Sequence, residues 1–149
     1  MAITPNSTFV SGAALTAVQQ NNFGRGVVAL TSNATQTITA SVLVGLNTTY
    51  TFEAGRTYKI SVFTSYSSSA GAGLILSLSS GAITFQRIFD NRPISDDAGD
   101  FHVSGFWVGT VTAGSKTVQL NWAVLSGTVT NPAGANQPNQ LIIEDLGTA

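Results

Sequence analysis

From Val27 to its end the chain repeats one pattern: short runs rich in Val, Ile, Thr, Phe and Tyr, each cut by Gly, Ser, Asn or Asp. Such runs read as strands bounded by turns. The spacing predicts nine of them, at 27–32, 35–40, 48–53, 57–67, 74–79, 83–89, 101–111, 116–126 and 140–145. Alternation gives several of these one core face: Tyr58, Ile60 and Val62 point one way while Lys59 and Ser61 point the other, and Val118, Leu120 and Trp122 alternate with Gln119 and Asn121. The fold class is therefore all-β, a jelly-roll-like antiparallel β-sandwich. In strand 57–67 Phe63 adds apolar surface on the second side, so that side is expected to meet a partner subunit.

Turn chemistry fits hairpins at 53–57, 79–82 and 112–116, with Gly55, Gly81 and Gly114 supplying the turn conformation. The stretches 90–100 and 127–140 are polar and rich in Gly, Pro and Asn, and read as loops. At the C-terminus "LIIED" is apolar where chains usually fray. A Greek-key or jelly-roll path explains this by placing a C-terminal strand in the middle of a sheet. Glu144 and Asp145 are then expected at the exit of the sheet, and Gly147 is expected to release the chain to solvent. Residues 1–25 read as an arm carrying one short helix, punctuated by Gly24 and Gly26, and 26–149 as the sandwich.

At 149 residues one domain suffices, and with no cysteine the core must hold by packing alone. A net charge of −1 with 9% charged residues excludes the basic face of a nucleic-acid binder. A surface of Ser, Thr, Asn and Gln suits a protein packed in an assembly or exposed outside a cell. No stretch has the pattern of a signal peptide or the length of a membrane span, so synthesis in a cytoplasm is expected. The N-x-S/T matches at Asn6, Asn33 and Asn47 are read as chance.

No constellation carries catalysis, and no cofactor is implied. His102 is the single histidine, without a nucleophile elbow, and reads as a surface or interface residue. Asp90, Asp96, Asp97 and Asp100 form an oxygen-rich loop without EF-hand spacing, beside Arg87 and Arg92, so a solvated loop is expected in place of a metal site. Among the aromatics, Trp122 is in phase with the core, and Trp107 is the candidate for an exposed ligand contact.

Three stretches together carry a resemblance: "FVSGAALTAVQQNNFGRGVVAL", "YTFEAGRTYKISVFTSYS" and "LIIEDLG". Gly12, Leu15, Thr16, Ala17 and Asn21, then Ala54 to Lys59, then Leu141 to Gly147 resemble motifs of small virion structural proteins of tailed bacteriophages, the minor tail protein type. The resemblance covers almost the whole chain. It implies a jelly-roll homotrimer of the tumour-necrosis-factor type at the virion surface, in the tail or tail-fibre region. Ile3, Phe9, Val10, Leu15 and Val18 are then the expected attachment residues toward other virion proteins of the tail or major capsid, and host surface glycan is an expected ligand. Two alternatives stand beside it: a capsid decoration protein at local threefold sites, and a carbohydrate-binding module using Trp107. A stalk before this domain is common in the family, and here about ten residues of arm precede it, which leaves room for a short knob.

Overall fold

The computed structural model describes residues 14, 16–17, 20, 22–32, 36–39, 43–68, 71–80, 83–91, 99–131 and 139–148. The expected attachment residues Ile3, Phe9, Val10, Leu15 and Val18, and also Gly81, Arg92, Asp96 and Asp97, lie outside that set. Within the expected helix the Gln20 amide donates to the Thr16 carbonyl at 3.0 Å, which is one helical turn, and the Phe23 amide then donates to the Gln20 carbonyl at 3.2 Å.

Among the described residues ten strands follow: β1 (Gly26–Ser32), β2 (Gln36–Ile38), β3 (Leu43–Phe52), β4 (Arg56–Ser68), β5 (Gly73–Ser80), β6 (Ile83–Asn91), β7 (Gly99–Thr110), β8 (Gly114–Ser126), β9 (Val129–Asn131) and β10 (Gln140–Thr148). One sheet has the order β3-β8-β5-β6. The other runs β1-β10-β4-β7, with β9 continuing the line of β10 along β4 and carrying β2 at its outer side. All pairs are antiparallel and the path crosses between the sheets repeatedly, which makes the molecule a jelly-roll-like β-sandwich. β9 falls within 127–140, where the sequence predicts only loop; a strand of three residues is too short to show a period.

The core lies between the sheets. Tyr58, Ile60, Val62 and Tyr66 of β4 and Leu141 and Ile143 of β10 face Leu74, Leu76 and Leu78 of β5 and Val118, Leu120 and Trp122 of β8, all buried. Each such side chain contributes about 1.5–3 kcal/mol through removal from water. Tyr50, Phe52 and Tyr58 add edge-to-face contacts at one end, with the Phe52 and Tyr58 ring centroids 4.8 Å apart. Gly55 turns the chain between β3 and β4 at φ 71°, as its place in the sequence predicts.

β10 pairs with β1 on one side and β4 on the other, so the C-terminal strand is central. The expectation for its last residues is corrected. The strand continues to Thr148, Asp145 is buried inside it, and Gly147 is a buried bulge residue at φ 105° that does not release the chain.

Candidate functional site

The three stretches that carry the sequence resemblance meet at one point. Arg56 opens β4 directly after the Gly55 turn, and its guanidinium donates through Nε to Asp145 Oδ2 at 2.7 Å and through Nη2 to Oδ1 at 2.9 Å. The same Nη2 donates to the Phe23 carbonyl at 2.7 Å. Both charged residues are buried, at 4% and 1% exposure, so the pair must satisfy itself, and the planar fork of arginine meets both carboxylate oxygens where lysine could not. The Gly147 amide donates to Asp145 Oδ1 at 2.9 Å, using the bulge to complete the carboxylate's shell.

Residues 22–26 lie across this pair. The Thr148 amide donates to the Asn22 carbonyl at 3.3 Å. A Cβ on Gly24 would come within 2.8 Å of the Asp145 carbonyl oxygen, and one on Gly147 within 2.7 Å of the Asn22 carbonyl oxygen. Close backbone approach explains Gly24 and Gly147 at this joint, while Gly26 stands in open space and is needed for its φ of 71°. Outside it, Arg25 pairs with Glu53, with Nη2 to Oε2 at 3.1 Å. That hydrogen bond raises the Arg25 pKa and lowers that of Glu53. A depressed carboxylate stabilises the fold above its ordinary value of 4.5, and that contribution is lost as pH falls through the lower folded value. The joint fixes where the N-terminal segment leaves the sandwich.

The two outer faces differ in chemistry. Opposed residues of antiparallel strands project to the same side, so the register builds the outer face of the β1-β10-β4-β7 sheet. One row crosses all four strands as Leu30, Ile142, Ser61 and Phe106. The next runs Glu144, Lys59, Val108, and the third Gln140, Phe63, Ser104. Phe106, Leu30, Val108 and Phe63 are 58%, 55%, 46% and 45% exposed. The register of the other sheet sets out Asn47 opposite Gln119, Thr49 opposite Thr117 and Asn121 opposite Ser77. Thr49 and Thr117 share a hydroxyl hydrogen bond of 2.9 Å. The first face sets exposed apolar side chains among a few polar ones, and the second is mainly hydroxyls and amides, with Ile75 opposite Ala123 and the half-exposed Leu125 of β8 as its apolar members.

On the apolar face a cleft of about 530 Å³ opens between Lys59, Ser61 and Phe63 of β4, Phe106 and Val108 of β7, and Ile88 of β6. Its charge is balanced within the protein: Lys59 Nζ lies 3.1 Å from Glu144 Oε2 and 5.8 Å from the Phe106 ring centroid.

The other candidates are dispersed. Trp107 is half-buried, on the inward side of β7 with Val103, its ring 5.0 Å from that of Phe85. It lines the cleft beside Phe106, which is the more exposed of the two aromatics. The phase of β7 follows from its pairing with β4, which aims the odd-numbered residues inward. His102 is exposed and lines a second cavity of about 280 Å³ with Phe63 and Ser104. Asp90 accepts from Arg87 Nη1 at 2.8 Å. Among the described residues no group of three or more His, Asp or Glu side chains is placed to hold a metal ion, and no helix is long and apolar enough to cross a membrane.

A buried amide clamp, unmarked by any local sequence pattern, holds the other end of β4. Asn139 Oδ1 accepts from Thr64 Oγ1 at 2.9 Å, from the Ser65 amide at 3.1 Å and from Asn131 Nδ2 at 2.9 Å, while Asn131 Nδ2 also donates to the Ser65 carbonyl at 2.6 Å. This ties the end of β9 and the start of β10 to β4. Asn139→Ala strands buried donors there, and a loss of about 1–3 kcal/mol in denaturant unfolding is expected.

These features define a jelly-roll-like sandwich with one apolar outer face and a locked N-terminal joint. No family model matches the chain, and no curated protein does. Among solved structures it is similar to Eiger TNF from S. frugiperda, at 13% identity and TM-score 0.43, over 62% of this chain and 60% of that one. It is also similar to a pentameric capsid protein from metagenomic phage sequences, at 19% identity and TM-score 0.34, over 92% and 70%. VP2 of infectious bursal disease virus follows at 10% identity and TM-score 0.38, over 78% and 38%. At these identities and scores none assigns a family or a role.

Proposed function

We propose that the chain is a non-enzymatic bacteriophage virion structural protein, a homotrimeric sandwich at the particle surface in the tail or tail-fibre region, contributing to host adsorption. The observation that carries this reading is the contrast between its outer faces: Val27, Leu30, Phe63, Phe106 and Val108 are exposed on one sheet, whereas the other presents mainly hydroxyls and amides. An apolar patch set opposite a more polar face is often functional and suits a subunit that packs on one side and meets solvent on the other. The sequence resemblance to minor tail proteins supplies the setting. The Arg56–Asp145 joint supports attachment, because an N-terminal segment that leaves from a fixed point can be aimed at a neighbouring virion protein.

Adsorption to glycan is read here as a property of loops or of the hydroxyl face, since Trp107 is packed against Phe85. The test is mass spectrometry of gradient-purified particles of the phage that encodes this chain. The reading expects the intact chain in the particle at a fixed copy number, in a multiple of three. A chain found only in the lysate and absent from washed particles contradicts it.

A further inference from the structure

We infer that the outer face of the β1-β10-β4-β7 sheet, with the open edge of β7 beside it, is covered by a second copy of this chain. The inference deepens the proposed function by naming the surface through which copies meet.

Three observations point to an occupant. A row across the sheet is apolar on three of its four strands, at Leu30, Ile142 and Phe106, with Ser61 on β4 between them, and is flanked by Phe63 and Val108. Ser61, 5% exposed at the centre of that row, lines the cleft, and its Oγ is buried with no hydrogen-bond partner among the described residues. A buried hydroxyl left unsatisfied is unfavourable, and a polar group entering the cleft would complete it. Lastly, β7 pairs with β4 without a register shift from Thr110 to Gly99, and among the described residues no strand hydrogen-bonds to its other edge, where β6 packs through Phe85 and Ile88. Its twelve residues include no Lys, Arg or Pro, the residues that usually guard an exposed edge.

Charge and area select a second copy. The charged pair on the face, Lys59 and Glu144, is already closed within the chain, so the face presents no net charge. Two copies therefore meet without like-charge repulsion, and a strongly charged partner finds nothing to match. Four strands at about 4.8 Å spacing and three rows of side chains give a patch of roughly 400 Å². A stable interface buries about 800 Å² per partner, so the contact must extend past the face onto the β7 edge and the cleft wall at Ile88. An occupant that offers both apolar surface and a strand edge is another copy of this chain, the face of one copy meeting the β7 edge of the next, as a closed ring of three requires.

The test is analytical ultracentrifugation of the purified full chain, alongside Phe106→Asp and the opposite-face control Thr117→Asp. The expected result is an oligomer for the wild type and for Thr117→Asp, with Phe106→Asp dissociating at least about thirtyfold more readily, as a central interface residue would. A monomeric wild type, or a Phe106→Asp variant that keeps the wild-type mass, overturns the inference. Should Phe106→Asp fail to fold, single thiols decide, because the chain contains no cysteine. Ser104→Cys is expected to resist maleimide in the assembled protein while Thr117→Cys reacts; equal labelling of both overturns the inference. The particle analysis above is independent of these outcomes, so loss of the copy contact and loss of the virion role read differently.

Discussion

Replacing Asp145 with alanine is expected to destabilise the protein by about 3–5 kcal/mol, the range for removing one partner of a buried ion pair. The carboxylate accepts two hydrogen bonds from Arg56 and one from the Gly147 amide, and Arg25 Nε lies 3.8 Å away. Without it the Arg56 guanidinium keeps its place beside the Phe23 carbonyl but loses its buried counter-charge. For a chain of this length the melting temperature falls on the order of 10 °C. Glu144→Ala is the internal control. Its pair with Lys59 is partly exposed, and its removal should change stability by less than about 1 kcal/mol. Equal effects from the two substitutions would show that the joint is not a buried electrostatic lock. Limited proteolysis adds a local readout: cleavage at Arg25 should rise in Asp145→Ala and stay at the wild-type rate in Glu144→Ala.

Trp122→Ala is expected to lower stability by about 3–5 kcal/mol through loss of transfer energy and an unfilled cavity. The indole is 1% exposed, stands edge-on to Tyr66 with centroids 6.5 Å apart, and is backed by Gly45 of β3. A Cβ on Gly45 would collide with the indole nitrogen and its neighbouring carbon. Gly45→Val therefore forces the ring to move, with about 1–3 kcal/mol of overpacking expected. Chemical denaturation with tryptophan fluorescence measures both. If Gly45→Val is neutral, the ring has room that the close packing of β3 on β8 does not allow.

Much of this architecture was legible in the sequence because strands impose a period of two. Tyr58, Ile60 and Val62, and Val118, Leu120 and Trp122, declared their inner faces by alternation alone, and the apolar "LII" near the terminus required a central position for the last strand. Phe63, the apolar residue on the wrong side of its strand, signalled the second surface. The joint was hidden for a physical reason. Arg56 and Asp145 are 89 residues apart, and nothing local marks a charged residue as buried before its partner is placed. The same holds for Asn139, whose value as an acceptor depends on Thr64 and Asn131 arriving from β4 and β9. The partial burial of Trp107 was not legible, because both sides of β7 carry aromatic residues and the pattern alone could not tell which side faced inward.

We propose that this sandwich serves as a surface subunit of a phage particle. Electron microscopy of intact particles labelled with an antibody against the chain tests it most directly. Label grouped on the tail region is the predicted result. Particles that carry no label on tail or capsid, while the same antibody binds the free chain, would contradict the claim.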